Sequence, residues 1–197
     1  MKATVINPND PRVIKTKGQF MKAFKELVLL YDDYMTISVK ELCDRAGLNR
    51  KTFYLHYKQV DDLFTEIQDE IINNYYQRIA GLDVFKDVEA IVEAYFEMNE
   101  SNLVYQKLCL SPHYLYTKEI SRKKGAKLYE EKEGVEKLKH NSETIRSYIS
   151  AFYYYSGYIL YSKWVRSNRS MPKEDVIKLV AKLIKEGVYS MKAINHH

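Results

Sequence analysis

Two short helical patterns meet at a glycine in the stretch KELCDRAGLNRKTFYLHYK, which begins at Lys40. Ser38 and Glu41 have the spacing of a capping box, which predicts where the first of these helices starts. Gly47 can adopt the positive φ angle that ends a helix, and Asn49 is a favourable N-cap for the next one. The local prediction is helix, turn, helix, and the second helix carries more hydrogen-bonding groups than packing requires.

Apolar residues recur at helical spacing through most of the remaining sequence, and no segment has a convincing strand pattern. The first helix is predicted to run from Thr16, where Thr16 and Gln19 resemble a capping box, to about the Asp32-Asp33 pair. Residues 1–13 contain two prolines and no periodicity, which indicates a flexible arm. Further helices are expected near 60–80, 85–99, 101–110, 112–138, 142–167 and 173–192. With 7 Gly and 4 Pro in 197 residues, the expected fold class is all-α.

The positive charge lies at one end of the chain. Residues 1–60 contain 11 Lys or Arg against 6 Asp or Glu, whereas residues 61–197 contain 20 of each, so the formal net charge of +5 belongs to the first third. A basic end on a neutral body favours contact between that end and a polyanion.

A helix-turn-helix places its second helix in the major groove of DNA, while the first helix crosses the phosphate backbone. Arg50 and Lys51 are placed to reach base edges, and arginine can bind guanine O6 and N7 together. Phosphate oxygens suit hydroxyl, imidazole and ammonium groups early in either helix. The predicted DNA-binding set is Ser38, Asn49, Arg50, Lys51, Thr52, Tyr54, His56 and Lys58.

The same stretch resembles the DNA-binding domain of TetR-type bacterial transcriptional regulators over about residues 14–70. The resemblance rests on Thr36-Ile37, Ser38 to Ala46, Gly47-Leu48-Asn49, Thr52-Phe53-Tyr54, His56-Tyr57 and Asp61-Asp62-Leu63-Phe64. It implies that Phe53 and Tyr57 pack inward, the latter where the family usually has Phe. The chain also departs from the family pattern at the Asn49 cap and at Gln59-Val60. The second departure leaves Lys58 as the expected phosphate contact.

What the resemblance implies is an all-helical homodimer whose effector-binding domain changes the distance between two recognition helices. The expected organisation is an arm at 1–13, a DNA-binding domain at 14–60, a connecting helix at 61–80, and an effector-binding and dimerisation domain at 81–197. The C-terminal third is also similar to regulators grouped with the dihydroxyacetone-kinase operon activator. Most regulators of this family are repressors that a small molecule releases from DNA, so the resemblance favours repression, with activation as the alternative.

Residues 147–165 hold six of the 18 tyrosines and a single charge, Lys163. A helix that is apolar on all sides must be covered on all sides, by its own domain and by a pocket or a partner subunit. Together with the amphipathic helix near 173–192, it could form a four-helix dimer bundle. The predicted dimer-interface residues are Gly157, Leu179 and Leu183.

Tyrosine combines aromatic area with a polar tip, so some of these side chains are candidates for lining an effector pocket. The candidate pocket residues are Tyr75, Tyr105, Tyr114, Phe152 and Tyr155. Packing in the core and at the dimer interface is the alternative interpretation of the same residues.

Other classes of site have weaker signals. Cys109 and His113 are four residues apart and could face one metal ion, but Pro112 interrupts the helix and no third ligand completes a set. The sequence contains no Gly-rich phosphate loop, nucleophile elbow or zinc-protease motif, so neither an enzyme nor a cofactor is expected. His196-His197 is read as a possible remnant of a purification tag.

No apolar run approaches the ~18 residues of a membrane span, and the N-terminus lacks the apolar core of a signal peptide, so a cytoplasmic protein without membrane contact is expected. The expected partners are a pseudo-palindromic duplex DNA operator, an unknown small-molecule effector and a second copy of the chain. The alternative function is a co-activator or adaptor that keeps the fold and acts through a protein partner. In that case, substitution of Arg50 and Lys51 would leave its activity intact.

Overall fold

The computed structural model of the chain describes residues 7–83, 86–111, 114 and 143–189. Every regular element in those ranges is helical, which confirms the all-α prediction. The elements are α1 (Pro11–Leu30), a 3₁₀ turn (Tyr34–Thr36), α2 (Val39–Ala46), α3 (Arg50–His56), α4 (Asp61–Arg78), α5 (Val88–Glu100), α6 (Leu103–Leu110), α7 (Glu143–Arg166) and α8 (Lys173–Tyr189). The helix predicted near 112–138 lies outside the described residues. None of the described helices combines the length and the apolar character needed to cross a membrane.

Helix α1 begins at Pro11, so the predicted start at Thr16 and the predicted end of the arm at residue 13 are wrong. The side chain of Asp10 accepts a hydrogen bond of 2.8 Å from the backbone N–H of Arg12 and thereby caps the helix. Proline is well tolerated at the first helical position, where its missing N–H would have had no partner in any case. The Asp10-Pro11 pair therefore marks the start of α1 in the sequence.

The first three helices pack around aromatic rings. Phe20 of α1 meets Phe53 of α3 edge-on, with ring centroids 5.5 Å apart, and meets Tyr57 at 6.1 Å. Phe53 is 0% exposed and Tyr57 is 3% exposed, so the expectation that both rings pack inward is confirmed. Full burial of a side chain such as Phe53 stabilises the fold by about 1.5–3 kcal/mol, which is large for a helix of 7 residues.

A chain of aromatic contacts continues from these helices into the rest of the molecule. Tyr34, in the 3₁₀ turn, stacks on Phe64 of α4 at 4.2 Å between centroids. Phe64 meets Tyr114 at 6.4 Å, and Tyr114 stacks on Tyr158 of α7 at 5.3 Å. The buried apolar residues accordingly form one large cluster that joins α1–α4 to α5–α8.

Helix α5 is the central element of the C-terminal half, because it packs against α4, α6, α7 and α8. The turn between α7 and α8 places Asn168 and Arg169 in the left-handed region, with φ angles of 55° and 53°. Trp164 fixes this turn, since its indole Nε1–H donates to the carbonyl of Met171 at 2.8 Å. The guanidinium of Arg169 lies 5.4 Å from the centre of the same indole ring.

Candidate nucleic-acid interface

The start of α2 is fixed by a complete capping box. The Ser38 hydroxyl accepts from the backbone N–H of Glu41 at 3.2 Å, and the Glu41 carboxylate accepts from the Ser38 N–H at 3.0 Å, as the sequence predicted. The same carboxylate accepts a hydrogen bond from the hydroxyl group of Tyr31, which follows α1. The hydrogen bonds from Tyr31 and Ser38 lower the pKa of Glu41 to about 2. This carboxylate therefore joins the end of α1 to the beginning of α2.

The turn between α2 and α3 has the hydrogen bonds of a Schellman motif. Gly47 has a φ of +66°, as predicted, and its N–H donates to the carbonyl of Asp44 at 3.3 Å. The N–H of Leu48 donates to the carbonyl of Cys43 at 3.0 Å. A side chain at position 47 would be strained by the positive φ, although it would meet no neighbouring atom.

Helix α3 is capped by Asn49, whose Oδ1 accepts from the backbone N–H of Thr52 at 2.8 Å. Its inner face is held by Phe53, while Tyr57 follows directly after the helix. Burial and the nearby Glu66 carboxylate raise the pKa of Tyr57 above its ordinary range, so this phenol stays neutral. The opposite face of α3 is open to solvent, and its orientation is set by the buried rings behind it.

The predicted base-reading residues lie on this open face. Arg50 and Lys51 are exposed, and an Arg50 guanidinium nitrogen lies 3.5 Å from the hydroxyl oxygen of Tyr54, one turn later. Lys58 is exposed beyond the end of the helix. Thr52 and His56 are half-buried at the edge of the face.

Three basic residues of α1 and α2 have carboxylate partners. Lys17 pairs with Glu66 at 2.5 Å, Lys25 pairs with Glu70 at 3.0 Å, and Arg45 lies 3.5 Å from Glu26. By contrast, within the part of the chain that the structure describes, no carboxylate pairs with the following three side chains: Arg50, Lys51 and Lys58. Their charges remain available to an external anion.

Two of the predicted phosphate ligands already use their hydroxyl protons. Ser38 Oγ donates to Glu41 Oε2 at 2.7 Å, and Thr52 Oγ1 donates to Asn49 Oδ1 at 3.0 Å. A phosphate contact by either hydroxyl would have to compete with these bonds. Contact of the predicted set with DNA stays a prediction.

Sequence reasoning missed Leu55, whose side chain is 57% exposed on the open face of α3. Helical periodicity could have found it, because Leu55 follows the inward-facing Phe53 by two residues and therefore points to the opposite side. Leu55 was not predicted because only polar side chains were considered as DNA ligands.

The candidate pocket residues differ in their exposure. Tyr105 and Tyr114 are buried, Tyr75 and Tyr155 are half-buried, and Phe152 is exposed. The Tyr105 hydroxyl donates to Glu70 Oε1 at 2.6 Å, and burial together with this carboxylate raises the pKa of Tyr105 to about 12. An open groove of about 450 Å³ between α5 and α8 is lined by none of the five. Their role in effector binding stays a prediction.

The candidate dimer residues separate into two groups. Leu179 and Leu183 lie exposed on α8, where a second subunit can reach them. Gly157 is buried, and a Cβ atom added there would lie 3.9 Å from the ring of Tyr95 in α5. Within one chain Gly157 therefore packs on α5, and its assignment to the dimer interface stays a prediction.

The cysteines are buried, and in the described residues no three His, Cys, Asp or Glu side chains are grouped closely enough to hold a metal ion. Cys109 Sγ lies 3.6 Å from the hydroxyl of Tyr95, whereas His113 lies outside the described residues. No protein-family model matches the chain, and no curated protein matches it either.

Proposed function

We propose that the chain is a sequence-specific, DNA-binding transcriptional regulator that inserts α3 into the major groove of duplex DNA. The observation that carries the proposal is the open face of α3. Among the described residues its cations have no carboxylate partner, and the helix that carries them is anchored by the buried Phe53. A short helix with exposed positive charge and a capped turn before it is what a helix-turn-helix requires, and these features support the proposal.

The surface of α7 and α8 supports a homodimer as the working form. Tyr148, Phe152 and Ile159 are exposed at spacings of four and seven residues, which places them on one face of α7. Leu179 and Leu183 are exposed one turn apart on α8. Two copies of this apolar surface would form a four-helix bundle and would hold two α3 helices for two half-sites of an operator.

Contacts among α1, α4 and α6 support control by an effector. Glu70 of α4 accepts from Lys25 of α1 and from Tyr105 of α6, so one carboxylate joins three helices. Lys107 of α6 donates to the carbonyl of Tyr31 at 2.9 Å, directly after α1. An effector that shifts α6 would therefore pull on the DNA-binding helices at two points. Release of a repressor from its operator is the mode we propose.

The test is selection of duplexes from a random-sequence DNA library by the full-length chain, followed by binding measurements over a range of salt concentrations. We expect enrichment of a pseudo-palindromic sequence whose affinity falls steeply with salt, because each phosphate contact releases counterions. Arg50→Ala combined with Lys51→Ala should abolish selective binding. The matched control is Lys178→Ala combined with Lys182→Ala, which removes two exposed charges from α8.

Failure to enrich any sequence, or equal losses in the two double variants, would overturn the proposal. Either result would favour the adaptor function, in which the same fold acts through a protein partner. Retention of in vivo regulation by the variant that lacks Arg50 and Lys51 would be the decisive sign of that alternative.

A further inference from the structure

Leu55 occupies the centre of the open face of α3. Successive residues of an α-helix are rotated by about 100°, so Lys51 and Leu55, four residues apart, share the direction opposite to the buried Phe53. Arg50 and Tyr54 flank this direction on one side, and the half-buried Thr52 lies on the other. An exposed aliphatic side chain, 57% exposed, therefore lies beside Lys51 on the outer face of the helix.

A single exposed leucine needs no explanation on an ordinary surface. The surroundings of Leu55 are different, because Lys51 precedes it by one turn and Lys58 follows it by three residues, both without carboxylate partners among the described residues. A binding partner must therefore place an apolar group at Leu55 and negative charge on either side. The major groove of DNA has this arrangement, since the C5-methyl group of thymine lies on its floor between two phosphate backbones.

We propose that Leu55 is a specificity-determining residue that recognises a thymine methyl group in the major groove. This inference rests on the proposed function. It goes further by identifying one base that the protein recognises. Arg50 would then bind hydrogen-bond acceptors on a neighbouring base, while Leu55 selects its own base pair by contact with the methyl group.

The test uses the duplex that the full-length chain enriches from a random library. Each thymine is replaced singly by deoxyuridine, which removes the methyl group and keeps every hydrogen-bonding group. At one position per half-site we expect the wild type to lose about fourfold in affinity, since burial of one methyl group contributes about 0.8 kcal/mol. Leu55→Ala should bind the thymine and deoxyuridine duplexes equally.

A second substitution distinguishes thymine from another methylated base. Replacing the same T·A pair by 5-methylcytosine·G keeps a methyl group in the groove but alters the hydrogen-bonding pattern of the pair. If this duplex binds more weakly than the deoxyuridine duplex, the protein recognises the whole T·A base pair. If its affinity recovers to that of the thymine duplex, recognition of thymine is overturned, and Leu55 recognises a methyl group on either base.

Leu103→Ala is the matched control, because Leu103 is 66% exposed at the start of α6 and its truncation should leave discrimination of deoxyuridine at the wild-type level. If a sequence is enriched but no thymine position loses affinity on removal of its methyl group, the inference about Leu55 is overturned and the proposed function stands. If Leu55→Ala distinguishes thymine from deoxyuridine as the wild type does, the inference about Leu55 is also overturned and the proposed function stands. If no sequence is enriched, both the proposed function and the inference about Leu55 are overturned.

Discussion

The Glu41 carboxylate holds two structural elements with one side chain. It accepts hydrogen bonds from the Tyr31 hydroxyl and from both the N–H and the hydroxyl of Ser38, so its charged form is stabilised in the folded state. Its pKa is lowered from an ordinary 4.5 to about 2. The stability that this charge contributes is therefore complete above pH 4.5 and is lost as the pH falls towards 2.

We expect Glu41→Gln to be less stable than the wild type at pH 6, and we expect this difference to shrink between pH 4.5 and pH 2.5. Urea denaturation of both proteins at several pH values measures it. Asp44→Asn is a suitable control, since Asp44 is an exposed acid on the same helix. A difference that stays constant across this pH range would show that the Glu41 charge contributes no stability.

Arg50 and Lys58 should affect DNA binding in different ways. Arg50→Ala removes a fork that can bind guanine through two hydrogen bonds, so we expect a loss of about 1–3 kcal/mol on the selected sequence and a relaxed preference at one base pair. Lys58→Ala should weaken binding evenly across sequences and lower the salt slope by about one. Titrations of selected and random duplexes measure both effects. Identical behaviour of the two variants would contradict the separate roles.

At the scale of the helices, Glu70 is the junction of α1, α4 and α6. Tyr105→Phe removes only the hydroxyl that donates to this carboxylate, so we expect the free energy of unfolding to fall by about 1 kcal/mol. Operator affinity should fall as well, because α6 would no longer hold α4. Thermal unfolding and operator titration test the two effects. Leu103→Ala, at an exposed position of the same helix α6, should change neither.

Helix boundaries that depend on neighbouring residues could be predicted from the sequence. Ser38 with Glu41, Gly47 and Asn49 all behave as predicted, because caps and positive-φ turns are decided within a few residues. The start of α1 was missed although its signal is equally local. Pro8 and Pro11 favoured irregular chain in the prediction, although Pro11 in fact occupies the first helical turn.

Positions that depend on tertiary packing could not be predicted. The small size of Gly157 indicated close helix packing, but whether the neighbouring helix belonged to the same chain required the position of Tyr95. The hydroxyl of Ser38 was expected at a phosphate, and only the structure shows that Glu41 holds it. The outward position of Leu55 followed from periodicity, yet its interpretation required the exposed cations around it, for which the described residues provide no carboxylate partner.

At the scale of the whole molecule, the outer apolar surface of α7 and α8 should control assembly. We expect Ile159→Glu and Leu183→Glu to give folded monomers, because each places a charge in the seam between two subunits. Light scattering measures the mass, and circular dichroism shows whether the helices persist. Gly157→Glu should behave differently and unfold the chain, since its side chain would enter the core beside Tyr95. Dimers that survive both outer substitutions would place the interface elsewhere.

Effector binding should change operator affinity by a factor of about 5–150, the range that corresponds to a coupling of 1–3 kcal/mol. We expect the effector to be small and at least partly apolar, and to contact some of the candidate pocket residues. A metabolite panel screened by operator titration tests this expectation. Indifference to the whole panel, with a solidly packed C-terminal half in an experimental structure of the dimer, would contradict it.

The chain has a single tryptophan, and Trp164 is buried at the turn between α7 and α8 beside the guanidinium of Arg169. Its emission is therefore an intrinsic optical probe of the C-terminal half alone. Because α3 contains no tryptophan, a shift in the wavelength of that emission on DNA binding would indicate a rearrangement transmitted across the molecule. The wild-type protein can thus report long-range communication in a fluorimeter, with neither a dye nor a substitution.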